Sequence, residues 1–165
     1  MERARRLIGL PLLTPAGQRL GEISDVLLDI SAREIVGLAI TTGNFVRQKR
    51  YVHRANIMEL SGRGAIVTDQ QALQEEQPAG LGLHGTETAL GRTVVTTGGD
   101  GLGSVRDILI QEDKMQVWGF EISDGLMRDL VDGATHLPRQ LVQRLDSADN
   151  DPTHMNDTVD GKPTP

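Results

Sequence analysis

Residues 9–43 read GLPLLTPAGQRLGEISDVLLDISAREIVGLAITTG, and residues 91–125 read GRTVVTTGGDGLGSVRDILIQEDKMQVWGFEISDG. An offset of 82 positions aligns the two stretches without a gap. Gly9/Gly91, Thr14/Thr96, Leu20/Leu102, Gly21/Gly103, Asp25/Asp107, Gly37/Gly119 and Gly43/Gly125 are identical, and apolar residues match at Ile23/Val105, Val26/Ile108, Leu28/Ile110, Ile35/Val117 and Leu38/Phe120. An ungapped match of this kind is an internal repeat, so the chain is two copies of one small unit.

Each copy carries strand chemistry. Residues 23–30 (ISDVLLDI) and 35–41 (IVGLAIT) are rich in β-branched and aliphatic side chains, lack proline and flank the short polar stretch 31–34. The second copy repeats this as VRDILI, a polar loop over 111–116, and VWGFEIS. Strand, short polar loop and strand predict an antiparallel hairpin. Val26-Leu27-Leu28 and Ile108-Leu109-Ile110 are apolar throughout, which implies strands covered on both faces. Gly17, after Pro15-Ala16, and Gly98 to Gly101 mark tight turns at positive φ. Gly37 and Gly119 lie inside strands, where glycine marks a bulge or sharp bend. Helical periodicity is weak, with only 69–76 and 137–145 showing any, and the balance predicts an all-β fold.

The order of these features resembles the PRC-barrel family: Gly, a short apolar strand, a glycine turn, Leu-Gly-x-(Ile/Val)-x-Asp-(Val/Ile)-Leu-(Leu/Ile), a hairpin, and apolar-Gly-apolar. That family is named for the cytoplasmic domain of the photosynthetic reaction-centre H subunit. It also includes the C-terminal domain of a bacterial ribosome-maturation factor. The resemblance implies two tandem small β-barrels, with Gly21, Asp25, Gly37, Gly103, Asp107 and Gly119 as structural motif residues. It divides the chain into a first barrel over 1–73, a linker over 74–87 (QEEQPAGLGLHGTE), a second barrel over 88–146 and a flexible acidic tail over 147–165. In copy two, His136-Leu137-Pro138 and Leu141 to Leu145 match Val52-His53 and Ile57 to Leu60 after a three-residue insertion. Nothing there corresponds to Gly64-Ala65-Ile66-Val67. The second barrel is therefore expected to lack its last strand, or to borrow one from the linker, the first copy or another chain, since an uncovered edge invites pairing.

Composition narrows the function. The chain has 165 residues and four aromatic side chains, so units near 70 residues must build their cores from Leu, Ile and Val. Cores of that size are marginal alone and gain by packing together. Cysteine is absent, which excludes thiolate metal sites and a cysteine nucleophile and is compatible with a reducing compartment. No apolar run approaches the roughly 18 residues that span a bilayer, and residues 1–13 read as a first strand. The expected location is the cytoplasm, without direct membrane insertion. Charge is uneven: residues 1–73 hold 10 Lys/Arg against 7 Asp/Glu, and residues 74–165 hold 7 against 16. Opposite halves can attract each other, within a chain or head to tail between chains.

Candidate chemistry is sparse. Asp25 and Asp107 hold equivalent places, but the expected role is structural, each accepting backbone hydrogen bonds within its own copy. His53, His84, His136 and His154 show no metal-ligand spacing, so no metal or cofactor is expected. Gly98-Gly99-Asp100-Gly101-Leu102-Gly103 lacks the dinucleotide spacing and precedes a strand, which makes it a turn. The best binding candidate is the stretch 47–54 (RQKRYVHR), in which Arg47, Lys49, Arg50, Tyr51 and Arg54 could contact phosphate and stack on a base. Copy two has lost this charge at 127–132 (MRDLVD). The expected function is a non-enzymatic adaptor that binds another macromolecule, a protein partner above all, and self-associates. The alternative is an RNA- or ribosome-associated factor acting through 47–54. A small-molecule enzyme is a remote third reading, requiring a deep pocket with polar groups from both copies.

Overall fold

The computed structural model describes residues 1–29, 33–79, 83–95, 101–123, 135–138 and 144–145. The turn at 96–100 and the acidic tail both lie outside them. In the first copy, β1 (Glu2–Arg3) and the one-turn helix α1 (Ala4–Leu7) precede the barrel strands. These are β2 (Pro11–Leu13), β3 (Arg19–Asp29), β4 (Glu34–Thr42), β5 (Gln48–His53), β6 (Ile57–Ser61) and β7 (Gly64–Val67). The second copy has β8 (Leu83–Gly85), α2 (Thr86–Ala89), β9 (Thr93–Val95), β10 (Gly101–Gln111), β11 (Gln116–Ile122), β12 (Thr135–Pro138) and β13 (Arg144–Leu145). The fold is all-β: two tandem copies of a curled sheet whose strands join one sheet in the order β13-β9-β10-β11-β4-β3-β2-β7-β6, with β1 on β10, β12 on β11, β5 on β4 and β8 on β3.

The repeat is visible in the register. Both hairpins are antiparallel and bulged at equivalent places, between Ile23/Asp25 and Leu27/Leu28 in β3, and between Val105/Asp107 and Leu109/Ile110 in β10. Each second bulge lies beside the strand glycine, since Leu27 faces Gly37 and Leu109 faces Gly119. A Cβ at Gly37 would collide with the Val52 carbonyl of β5, so glycine lets the sheet curl tightly there. Gly17 takes φ +80°, as its turn requires.

The copies are clasped together rather than strung on a linker. β1 pairs with β10 through Glu2↔Ile110 and Arg3↔Leu109. β8 pairs with β3 through His84↔Leu28 and Gly85↔Leu27, the same contacts moved by 82 positions and exchanged between copies. At the centre, Ile35 N–H donates to Met115 O at 3.0 Å and Val117 N–H donates to Arg33 O at 2.9 Å. Arg33 and Met115, at φ 60° and 50°, are again equivalent positions. A pseudo-twofold axis therefore passes between Glu34 and Gln116, which pair across the two hairpin turns. Residues 83–87, expected to be linker, form β8 and the start of α2, which continues into the second copy. Residues 1–13, expected to be one strand, divide into β1, α1 and β2.

This exchange explains the all-apolar strand centres. Val26, Leu27, Leu28, Ile108, Leu109 and Ile110 are all buried, with α2 packed on β3 and α1 packed on β10. One cluster of buried side chains runs through both copies, from Leu7, Leu12 and Ile23 to Ile108, Val117 and Phe120. Two marginal cores have become one, and burying each such side chain contributes roughly 1.5–3 kcal/mol.

Among the described residues the second barrel closes differently from the first. In the first copy β7 runs parallel to β2 and β6 pairs with β7. In the second, β13 pairs antiparallel with β9, the equivalent of β2. Because β6 is antiparallel to β2, β13 keeps the polarity of β6 while pairing directly with the equivalent of β2. Residues 135–138, where weak helical periodicity begins, form β12 instead and pair with β11 as β5 pairs with β4, with the inserted three residues absorbed before it.

Candidate functional site

The equivalent aspartates sit at the first bulge of each hairpin, and their partners come from the opposite copy. Asp25 Oδ1 accepts from its own neighbour Val26 N–H at 2.8 Å and from Thr86 N–H of α2 at 2.8 Å. Asp107 Oδ1 accepts from Ile108 N–H at 2.9 Å and from Arg5 N–H of α1 at 3.3 Å. The expectation that each carboxylate serves only its own copy is corrected: each satisfies a first-turn N–H of the short helix that opens the other. Four-residue helices leave their N–H groups orphaned, and a bulge that turns one carboxylate outward supplies the acceptor. The Asp25 carboxylate also lies against Gly85, where a Cβ would not fit. Burial pushes the Asp25 pKa up from its ordinary value, opposed by the N–H groups of Thr86 and Val26. These carboxylates hold the copies together.

Gly21 lies on β3 where a Cβ would meet the Thr41 carbonyl at 2.6 Å, and Gly103 on β10 takes φ +132° opposite β9. Gly21 is thus a place of close strand approach, while Gly103 supplies the positive φ beside an irregularity in the β9–β10 pairing. Among the described residues no group of three or more His, Asp or Glu side chains could hold a metal ion. No helix among them is long and apolar enough to cross a membrane.

The basic stretch occupies the β4–β5 turn and β5, and its cations divide into two sets. Arg50 pairs with Glu75 at 3.0 Å and donates to Gln48 Oε1 at 3.0 Å. Arg54 pairs with Glu34 at 2.9 Å and donates to Lys114 O at 3.1 Å, which ties the first copy to the β10–β11 turn of the second. Those two guanidiniums are engaged inside the molecule. Arg47 and Lys49 have no ion pair among the described residues, and Lys49 Nζ lies 5.7 Å from the centre of the Tyr51 ring. Tyr51 itself is fixed by paired backbone hydrogen bonds with Gln74, both 2.8 Å.

The turn also carries two residues that the charge pattern had hidden. Phe45 is fully exposed and Val46 is 71% exposed, at the tip between Gly43 and Arg47. Gly43 takes φ +88°, and a Cβ there would strike the Val46 carbonyl, so the tip's shape depends on glycine. The signal in the sequence was an apolar pair, Phe45-Val46, set in a turn of Gly, Asn and Arg. A second surface lies near the pseudo-twofold axis, where Met1, Met58, Glu59, Leu60, Glu112, Asp113 and Met115 line an open groove of about 430 Å³. A polar cleft of about 610 Å³ is lined from the first copy alone by residues including Arg19, Glu22, Asn44 and Arg47.

The sequence model of the PRC-barrel domain matches residues 1–73 and 88–148. No curated protein matches the chain. The two matched segments correspond to the two copies, with β8 and the start of α2 just ahead of the second, and together they cover most of the 165 residues. The chain therefore belongs to the PRC-barrel family.

Proposed function

We propose that the protein is a non-enzymatic adaptor, operating in the cytoplasm, that docks on a protein partner through the tip of the β4–β5 hairpin. The observation that supports this is a solvent-facing Phe45-Val46 pair on a turn held by two long-paired strands and flanked by the unpaired cations Arg47 and Lys49. Scattered exposed apolar residues are ordinary, but an aromatic projecting wholly into water beside free cations has the composition of a binding hot spot. The clasped barrels present that tip from one rigid body.

Internal pairing of Arg50 and Arg54 argues against the RNA reading, because within that stretch it leaves only Arg47 and Lys49 without an ion pair among the described residues, on a chain of net charge −6. In the family's terms, the proposed use resembles the docking role of the reaction-centre H-subunit barrel more than a ribosome factor. The test uses the intact chain and a Phe45→Ser/Val46→Ser variant as baits in a host extract, before and after nuclease treatment. A protein held by the intact chain and lost with the variant supports the reading. Equal capture by both baits, or capture abolished by nuclease, overturns it.

A further inference from the structure

The hairpin tip and the methionine groove are complementary surfaces on one chain. The tip offers an aromatic ring and a valine with Arg47 and Lys49 beside them. The groove offers thioether side chains, with Met58 62% exposed, and a rim of carboxylates. Of these carboxylates, Glu112 pairs with the amino-terminal ammonium at 3.0 Å, while Glu59 and Asp113 have no ion pair among the described residues. Methionine adapts its shape to an inserted ring, and its sulfur attracts aromatic edges by about 0.3–1.5 kcal/mol. Free cations opposite free carboxylates would fix the orientation of such a contact and raise its rate of formation.

A chain cannot satisfy itself in this way. The groove is anchored at the start of β4, where Met115 O accepts from Ile35 N–H. The tip follows Thr42 at the far end of the same strand. Seven residues of strand separate Ile35 from Thr42, which sets the two surfaces on the order of 20 Å apart on a rigid element.

We infer that the partner of the tip is a second copy of this chain, with Phe45 and Val46 of one molecule seated in the groove of Met58 and Met115 of the next, and Arg47 and Lys49 facing Glu59 and Asp113. This rests on the reading of the tip as the docking element and names what it docks on. The contact uses different patches on the two molecules, so it propagates head to tail into rings or filaments.

Light scattering across micromolar to millimolar protein tests it, with folding of each variant checked by circular dichroism and melting. The wild-type mass is expected to rise with concentration, and less so at high salt. Phe45→Asp destroys the tip and Met58→Glu the groove, so each alone is expected to be monomeric, with association weakened at least about tenfold. Mixed together, the two variants are expected to form a 1:1 dimer, because one intact tip meets one intact groove. The double charge exchange Arg47→Glu with Asp113→Lys is expected to restore association that Arg47→Glu alone removes. A wild type that stays monomeric overturns the inference, as do single variants that still oligomerise or a mixture that stays monomeric. If association fails while Phe45→Ser/Val46→Ser still loses a foreign protein, this inference falls and the adaptor reading stands.

Discussion

The two copies differ where they face away from each other and agree where they touch. Both keep the paired bulges, the aspartate at the first bulge and the exchanged strand and helix. They part at the far side, where the first barrel inserts β7 and the second joins β13 directly to β9. They part again at the second bulge, where Val36 in β4 is replaced by a partly exposed Trp118 in β11. A clasp across a pseudo-twofold axis constrains both partners, because a change in one copy removes a hydrogen-bond or packing partner from the other. Surfaces remote from that axis carry no such mutual constraint. The exposed tip and the differing closing strands lie among these remote features, which is where a repeated fold is free to acquire function.

The comparison is broken most decisively by core truncation. Leu28→Ala and its counterpart Ile110→Ala each remove a fully buried side chain beside the exchanged strands, and each is expected to cost about 2–5 kcal/mol. Both are expected to lower one shared thermal midpoint in calorimetry. Two separate transitions, each answering to one variant, would show that the barrels fold independently.

Next in size are the aspartate clasps. Asp25→Ala and Asp107→Ala each leave two backbone N–H groups without their acceptor, one in each copy, at an expected cost of about 1–3 kcal/mol in denaturant titration. Asp25→Asn keeps the acceptor oxygen and removes a charge that burial disfavours, so at pH 7 it is expected to match the wild type or exceed it. A loss as large as that of the alanine variant would make the charge itself the clasp.

The Asp25 pKa sharpens this further through pH. Its value in the fold is raised above the ordinary one, so the folded chain holds that proton more tightly than the unfolded chain does. The resulting stability is complete below about pH 4 and is lost as pH rises through the raised pKa. Wild type is therefore expected to lose ground to Asp25→Asn over that window and to run parallel with it above, as read from denaturant midpoints. A gap that narrows with rising pH would reverse the assignment.

The smallest effects concern single polar groups. Ser24, the extra residue of the first bulge, has a buried hydroxyl with no hydrogen-bond partner, and Ser24→Ala is expected to be neutral or to stabilise by up to about 1 kcal/mol. Arg54→Ala, on a partly exposed pair, is expected to cost about 0.5–1 kcal/mol.

Much of the fold was legible because its signals are local. Alternating polar loops and β-branched runs give the hairpins, Gly17 gives its turn, and Gly37 with Gly119 marks the bulges. The missing counterpart of residues 64–67 marked the end of the second copy as the place where the two repeats part, and the described residues there pair β13 with β9. The four-residue helices were not legible, since one turn is too short to show a period. β12 was legible only through the repeat, where His136-Leu137-Pro138 match Val52-His53, because a few residues of mixed polarity carry no decisive rhythm of their own. In the binding stretch, composition put Arg50 and Arg54 together with Arg47 and Lys49. Only their partners, Glu75 for one and Glu34 with the Lys114 carbonyl for the other, separate internal braces from free charge.

By itself the sequence determined that one curled hairpin unit is written twice, because glycine placement and apolar runs act on the chain within a few residues. Only the tertiary structure decided that the copies exchange their first strands and helices. That choice depends on bonds such as Thr86 N–H to Asp25 and Arg5 N–H to Asp107, 61 and 102 residues apart. A carboxylate at a bulge must find a donor, and nothing local says whose donor it is; the answer comes from which surfaces bury the most apolar area when two small barrels meet.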